Sequence, residues 1–156
     1  MSDQSASDRA VQRVRDLFES GYVCSESVLM ALAEHQGIES DVIPRIATPF
    51  GSGLARTCGM CGAVSGAVMG IGLAVGRQRS DQPRDAAYAI TRRLLTEFAE
   101  RFGSTDCQQL IGIDLGAPGG SEQFHARNLM PQCTGYAEAC VQMALAFIAD
   151  QEDAAS

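Results

Sequence analysis

Residues 57–76, TCGMCGAVSGAVMGIGLAVG, run twenty positions without a charged side chain. A membrane-crossing helix needs about that many apolar residues. Six of the positions, however, are glycine (Gly59, Gly62, Gly66, Gly70, Gly72 and Gly76), and few are large aliphatics, so transfer into hydrocarbon is only weakly favourable. The stretch therefore reads as the buried central helix of a soluble protein, with no membrane span. Gly62, Gly66 and Gly70 recur every four residues. That spacing lays a groove without side chains along one helix face, where another backbone can approach closely.

On both sides of this stretch the periodicity is also helical. Val11, Val14, Leu17 and Phe18 keep the spacing of an amphipathic helix from Asp8 onward, until Gly21-Tyr22 breaks it. A second helix is expected from Cys24 or Ser25 to the region of His35 and Gly37, where glycine is a natural stop. Asp41 to Ala47 reads as a short helix bent by Pro44, and Thr48 to Arg56 as a glycine- and proline-bearing loop. Asp81 to Phe102 is the longest amphipathic pattern, with Ile90, Leu94, Phe98 and Phe102 inward and Gly103 as its stop. A short helix over Cys107 to Ile111, a glycine-rich loop over residues 112–123 and a last helix from Cys133 to Ala149 complete the chain. No useful alternating strand pattern appears. The expected fold class is all-α, a bundle of about five main helices with irregular loops. The expected organisation is one domain over residues 8–150, with a disordered tail at 1–7 and a polar, fraying C-terminal tail at 151–156.

The chain has 156 residues and a formal net charge of -7. This length can bury roughly 70% of its unfolded surface, so its six cysteines are not needed as covalent staples. Its start is polar and acidic and lacks the basic patch and apolar run of a secretory signal, so a cytoplasmic location is expected. In that reducing compartment metal binding or thiol chemistry outweighs structural disulfides. The basic residues never cluster beyond pairs such as Arg92-Arg93, which argues against nucleic acid as a partner. The acidic balance suits a partner with a basic patch, or serves solubility alone. The glycine-lined helix also offers a surface for a homodimer.

Cys24, Cys61, Cys107 and Cys133 share a position, each at or within a turn of an expected helix start. Unpaired amide donors and partial positive charge at such starts ease thiol ionisation and favour a thiolate. Thiolates are what soft metals bind. Cys140 lies seven residues after Cys133, about 10 Å along the helix axis, too far to share one metal, and reads as core. Cys58 and Cys61 form a CxxC whose spacing suits either a metal chelate or a redox disulfide, but no strand precedes it as in thioredoxin-like settings. No histidine follows Cys61, so the haem-attachment signature is absent.

The segments Gly21-Tyr22-Val23-Cys24-Ser25-Glu26-Ser27-Val28-Leu29, Phe50-Gly51-Ser52-Gly53, Cys61-Gly62-Ala63-Val64-Ser65-Gly66, Phe102-Gly103-Ser104 with Cys107, and Cys133 before Tyr136 resemble, in order and spacing, the C_GCAxxG_C_C family of redox-active proteins. The family's four defining cysteines fall on Cys24, Cys61, Cys107 and Cys133. A similar domain occurs in split-Soret cytochromes, and the resemblance implies an iron–sulfur site on these cysteines without haem. The chain departs from the pattern in reading Cys-Gly-Ala where the family label has Gly-Cys-Ala. Ser52 also interrupts a glycine run, and Cys58 and Cys140 are extra; Cys58 could join the ligand set.

The expected cofactor is thus an iron–sulfur cluster, [2Fe–2S] favoured over [4Fe–4S], in a protein of electron transfer or redox sensing with an unidentified redox partner. Two other readings stand beside it. One is a metal-free thiol–disulfide oxidoreductase in which Cys61 attacks and Cys58 resolves; the other is a structural zinc site of four thiolates. His35 reads as a helix-end residue and His125 as a solvated loop residue that could serve as ligand or proton carrier. Tyr22 and Glu26 flank Cys24 as a packed aromatic and a helix-start charge.

Overall fold

A computed structural model describes residues 2–156. Eight helices follow one another: α1 (Asp3–Glu19), α2 (Cys24–His35), α3 (Gly51–Arg56), α4 (Gly62–Val75), α5 (Asp85–Phe102), α6 (Cys107–Ile111), α7 (Gly120–Ala126) and α8 (Met130–Ala155), with a 3-10 helix at Arg45–Phe50 before α3. No strand occurs among the described residues. The class is all-α, with more helices than the periodicity suggests, because the short ones present too few turns to show a period.

Helix α4 is the uncharged stretch, and α2 is its main neighbour. The two run side by side in the same direction. A Cβ added at Gly62 would lie 2.2 Å from the Cys24 sulfur, one at Gly66 would lie 2.7 Å from the Ser25 carbonyl oxygen, and one at Gly70 would lie 2.4 Å from Leu32. The every-fourth-residue glycine stripe therefore sets the α2–α4 register and brings the starts of both helices to the same end of the molecule. Gln36 ties the other end by donating to the Gly70 carbonyl at 3.0 Å. Helix α8 packs against α1, α2, α4 and α5, burying Ala137, Cys140, Val141 and Ala144. At 14 residues, α4 is about 21 Å long against about 30 Å of hydrocarbon. No helix among the described residues is long and apolar enough to cross a membrane.

Both ends differ from the expected tails. Helix α1 opens at Asp3, where the Ser2 hydroxyl accepts from the Ser5 N–H at 3.3 Å, and α8 continues to Ala155. Periodicity misses such turns because they bury nothing. The loop expected at 112–123 contains the start of α7, and α5 begins at Asp85, four residues after the expected Asp81.

The stripe also marks where a glycine is dispensable. Gly72 lies on an exposed part of α4 with nothing within 4 Å of an added Cβ. Gly72→Ala is expected to raise stability by about 0.5–1 kcal/mol, the usual helix-interior gain over glycine; denaturant unfolding reads it, and a loss would contradict the register given above.

Candidate metal centre

The common end of α2 and α4 is where the cysteines gather. Cys24 is the first residue of α2, Cys61 caps α4, Cys107 is the first residue of α6, and Cys133 lies in the first turn of α8. All four line a single cavity of about 250 Å³. Cys61 is buried, and the other three are half-buried.

Local structure explains this convergence. Parallel packing of α2 on α4 brings Cys24 against Gly62, the residue after Cys61. Met60 faces Asp106 in a short antiparallel bridge. There the Cys61 N–H donates to Thr105 O at 2.7 Å and the Cys107 N–H donates to Gly59 O at 2.9 Å. Extended residues alternate faces, so Cys61 and Cys107 share the face opposite Met60 and Asp106. Gln132 Nε2 donates to the Leu110 carbonyl at 2.9 Å and to Tyr136 Oη at 2.6 Å, and Tyr136 Oη donates to the same carbonyl at 3.3 Å. These bonds fasten the first turns of α8 to α6 and so hold Cys133 near Cys107.

The two cysteines of the CxxC differ in their surroundings. Cys58, in the left-handed region at φ 60, lies beside Asp114 and Asp106 and near enough to Cys107 to help raise its thiol, but does not line the cavity. Cys140 is fully buried in the core, as its spacing from Cys133 suggests. All six thiols are free.

The segment before the CxxC takes an unusual path. From Ser52 to Arg56 the backbone makes a left-handed turn, with φ 54, 63, 52, 56 and 66 in order. Ser52, Leu54, Ala55 and Arg56 carry side chains in a conformation that costs roughly 1–2 kcal/mol per residue. Such strain persists only where the surroundings fix it. Here the Gly53 carbonyl accepts from the Gly59 N–H at 3.0 Å and Thr57 Oγ1 donates to Leu54 O at 2.9 Å. Gly53 passes so near Cys107 that an added Cβ would lie 2.4 Å from that residue's Cβ. The turn aims the Ser52 N–H at the Cys24 sulfur, joining those of Ser25 and Gly62.

Helix starts are expected to ease thiol ionisation, but here burial overrides them. Burial pushes the Cys61 thiol up to about 12, the Cys24 and Cys107 sulfurs add to the rise, and the Val64 and Ala63 N–H groups oppose it. Burial likewise drives Cys133 to about 12 and Cys107 to about 11, with the neighbouring sulfurs adding in each case. Cys24 is raised by burial against four backbone donors. These thiols are thus protonated near neutral pH, would repel one another as anions, and are poor nucleophiles. In the metal-free chain at pH 8, Cys61 and Cys133 should alkylate at least about a hundredfold more slowly than in the unfolded chain, where thiols titrate near 8.5. Mass mapping after iodoacetamide reads this, and equal rates would contradict the burial. The linked stability has a definite sign: it is fully present below the unfolded thiol value and is lost as pH rises toward the folded values of about 11 to 12.

Tyr22 and His125 line the cavity, whereas Glu26 and His35 do not. Glu26 is structural, accepting from the Val23 N–H at 3.0 Å and from Thr48 Oγ1 at 2.6 Å. Ser52, Arg56, Phe124 and Tyr136 also line the cavity. Sequence reading singles out none of them as site residues; only the Ser52-Gly53 pair hints at a turn. Among the described residues no three His, Cys, Asp or Glu side chains surround a single-ion position. The donor set is nevertheless mostly soft, four sulfurs beside the His125 imidazole and no carboxylate lining the cavity, which fits a thiolate centre.

The family model described as "Putative redox-active protein (C_GCAxxG_C_C)" matches residues 22–147, a span that contains all four cavity cysteines. Comparison with curated proteins and with solved structures gives no match.

Proposed function

The chain belongs to the C_GCAxxG_C_C family, and from that premise we propose that it is an iron–sulfur protein in which Cys24, Cys61, Cys107 and Cys133 hold one [2Fe–2S] cluster. It works in the cytoplasm, passing single electrons to a redox partner or sensing redox poise. The observation that carries this reading is the meeting of four thiols, from four separate helix starts, around one cavity. Four thiolates can hold either a lone tetrahedral ion or a cluster, and the redox description of the family favours the cluster, since zinc has no redox chemistry. When bound, the cluster supplies reversible one-electron chemistry at its irons.

The chain's own contribution is the setting. The Ser52, Ser25 and Gly62 N–H groups donate toward the Cys24 sulfur, and such bonds to ligand sulfur raise the ease of reduction. Leu110, Ile111 and Tyr136 wall the cavity and are buried, which gives its deeper part an apolar surround. Cys58 does not line the cavity, so the proposed ligand set leaves it out.

Purification without oxygen, followed by iron and acid-labile sulfide assays and a visible spectrum, tests the reading. About two irons and two sulfides per chain are expected for this cluster type. Zinc without sulfide would replace the reading with a structural site, and a metal-free Cys58–Cys61 disulfide would replace it with dithiol chemistry.

A further inference from the structure

The four thiols are only part of the cavity lining. Four inorganic atoms need on the order of 100 Å³, about the share of three waters. The cavity holds about 250 Å³. The remainder is close to the cavity size of roughly 150 Å³ that accepts one benzene ring. Its walls also include the half-buried Phe18 and Phe124 and the exposed Met130, with exposed Arg56 and His125 at the rim. Arg56, His125 and Met130 are exposed, whereas Cys61, Leu110 and Tyr136 at the inner end are buried.

The charge pattern of this outer chamber is selective. The chain has 19 acidic against 12 basic residues, yet no Asp or Glu lines the cavity. The Arg56 guanidinium makes no ion pair among the described residues. Arg56 is held on the rim by the left-handed turn at φ 66, and Gly116 packs against its carbonyl so closely that an added Cβ would lie 2.3 Å away. Charge on the ligand sulfurs is met from inside, by the backbone donors at Cys24 and Cys61. An unpaired guanidinium on a fixed backbone beside an aromatic wall instead matches a ligand with an anionic end and an apolar body.

We propose that the outer chamber binds a small apolar carboxylate of about benzoate's size, its carboxylate at Arg56 and His125 and its body against Phe18, Phe124 and Met130. This deepens the iron–sulfur reading, since the spare volume assumes a two-iron core, and it makes the centre one that meets a small molecule directly.

The test titrates the full chain, both cluster-loaded and cluster-free, with benzoate, benzamide and benzamidine, reading the Met130 methyl signal in methyl-labelled protein. Benzoate should shift that signal saturably in both forms, benzamide should bind about tenfold more weakly or worse, and benzamidine should leave it in place. Arg56→Gln should weaken benzoate by about tenfold or more, while Arg92→Gln, a change on the exposed face of α5, should not. Equal response to the three probes, no saturable shift, or an unchanged Arg56→Gln would overturn the proposal. So would benzoate binding only when the cluster is absent, because it would then occupy the cluster's own place. Failure to find iron and sulfide sinks the cluster reading but leaves the cluster-free titration readable, so the two failures are distinguishable.

Discussion

Cys61→Ser is expected to lower iron retention at least about tenfold, the lower bound for loss of a ligand when even its hydrogen-bonding partners are worth that much. Cys61 is the most enclosed of the cavity thiols. It caps α4 and faces the Val64 and Ala63 N–H groups. Serine is nearly the same size and is a preferred helix cap, so the metal-free fold should be kept. The variant thus separates loss of metal from loss of structure. Cys24→Ser, Cys107→Ser and Cys133→Ser should behave alike, whereas Cys58→Ser and Cys140→Ala should keep their iron. Iron assay beside far-ultraviolet circular dichroism reads both halves. Full iron in all four cavity variants would remove the ligand set, and loss in Cys58→Ser would bring that residue into it.

Gly66→Ala should destabilise the chain by about 2 kcal/mol, within the usual range for overpacking, even after the gain in helix propensity. The added methyl would meet the Ser25 carbonyl at 2.7 Å and Val28 Cβ at 3.0 Å. The nearer obstacle is backbone and cannot rotate away. Helices α2 and α4 must therefore part, which spreads Cys24 from Cys61 and lowers iron retention as well. The expected fall in Tm is about 4–8 °C for a chain of this size. An unchanged Tm would show that the glycine stripe does not set the helix contact.

How far the sequence reveals this arrangement depends on the kind of signal. Gly62, Gly66 and Gly70 announce a close helix contact because their period matches one helix face, and α4 contacts α2 along that stripe. Cys107 to Ile111 is expected as a helix between its preceding cap residues and Gly112, and α6 has those bounds. The positions of Cys24, Cys61, Cys107 and Cys133 at helix starts are legible for the same reason. Their convergence is not, because it depends on the Met60–Asp106 bridge and the Gln132–Leu110–Tyr136 bonds, contacts between remote segments that leave no periodic trace. Nor does any residue pattern announce the left-handed turn, since Leu54, Ala55 and Arg56 ordinarily avoid that conformation. Arg56 goes unnoticed at the rim for that reason. Ionisation at the helix starts is expected in the wrong direction because capping is local, whereas burial is set by the whole fold.

X-ray absorption at the iron edge, on oxygen-free chain loaded with cluster, addresses the four-thiolate centre most directly. The expected spectrum has an all-sulfur first shell and an iron–iron vector. A first shell of nitrogen or oxygen, or iron with no second iron nearby, would contradict it.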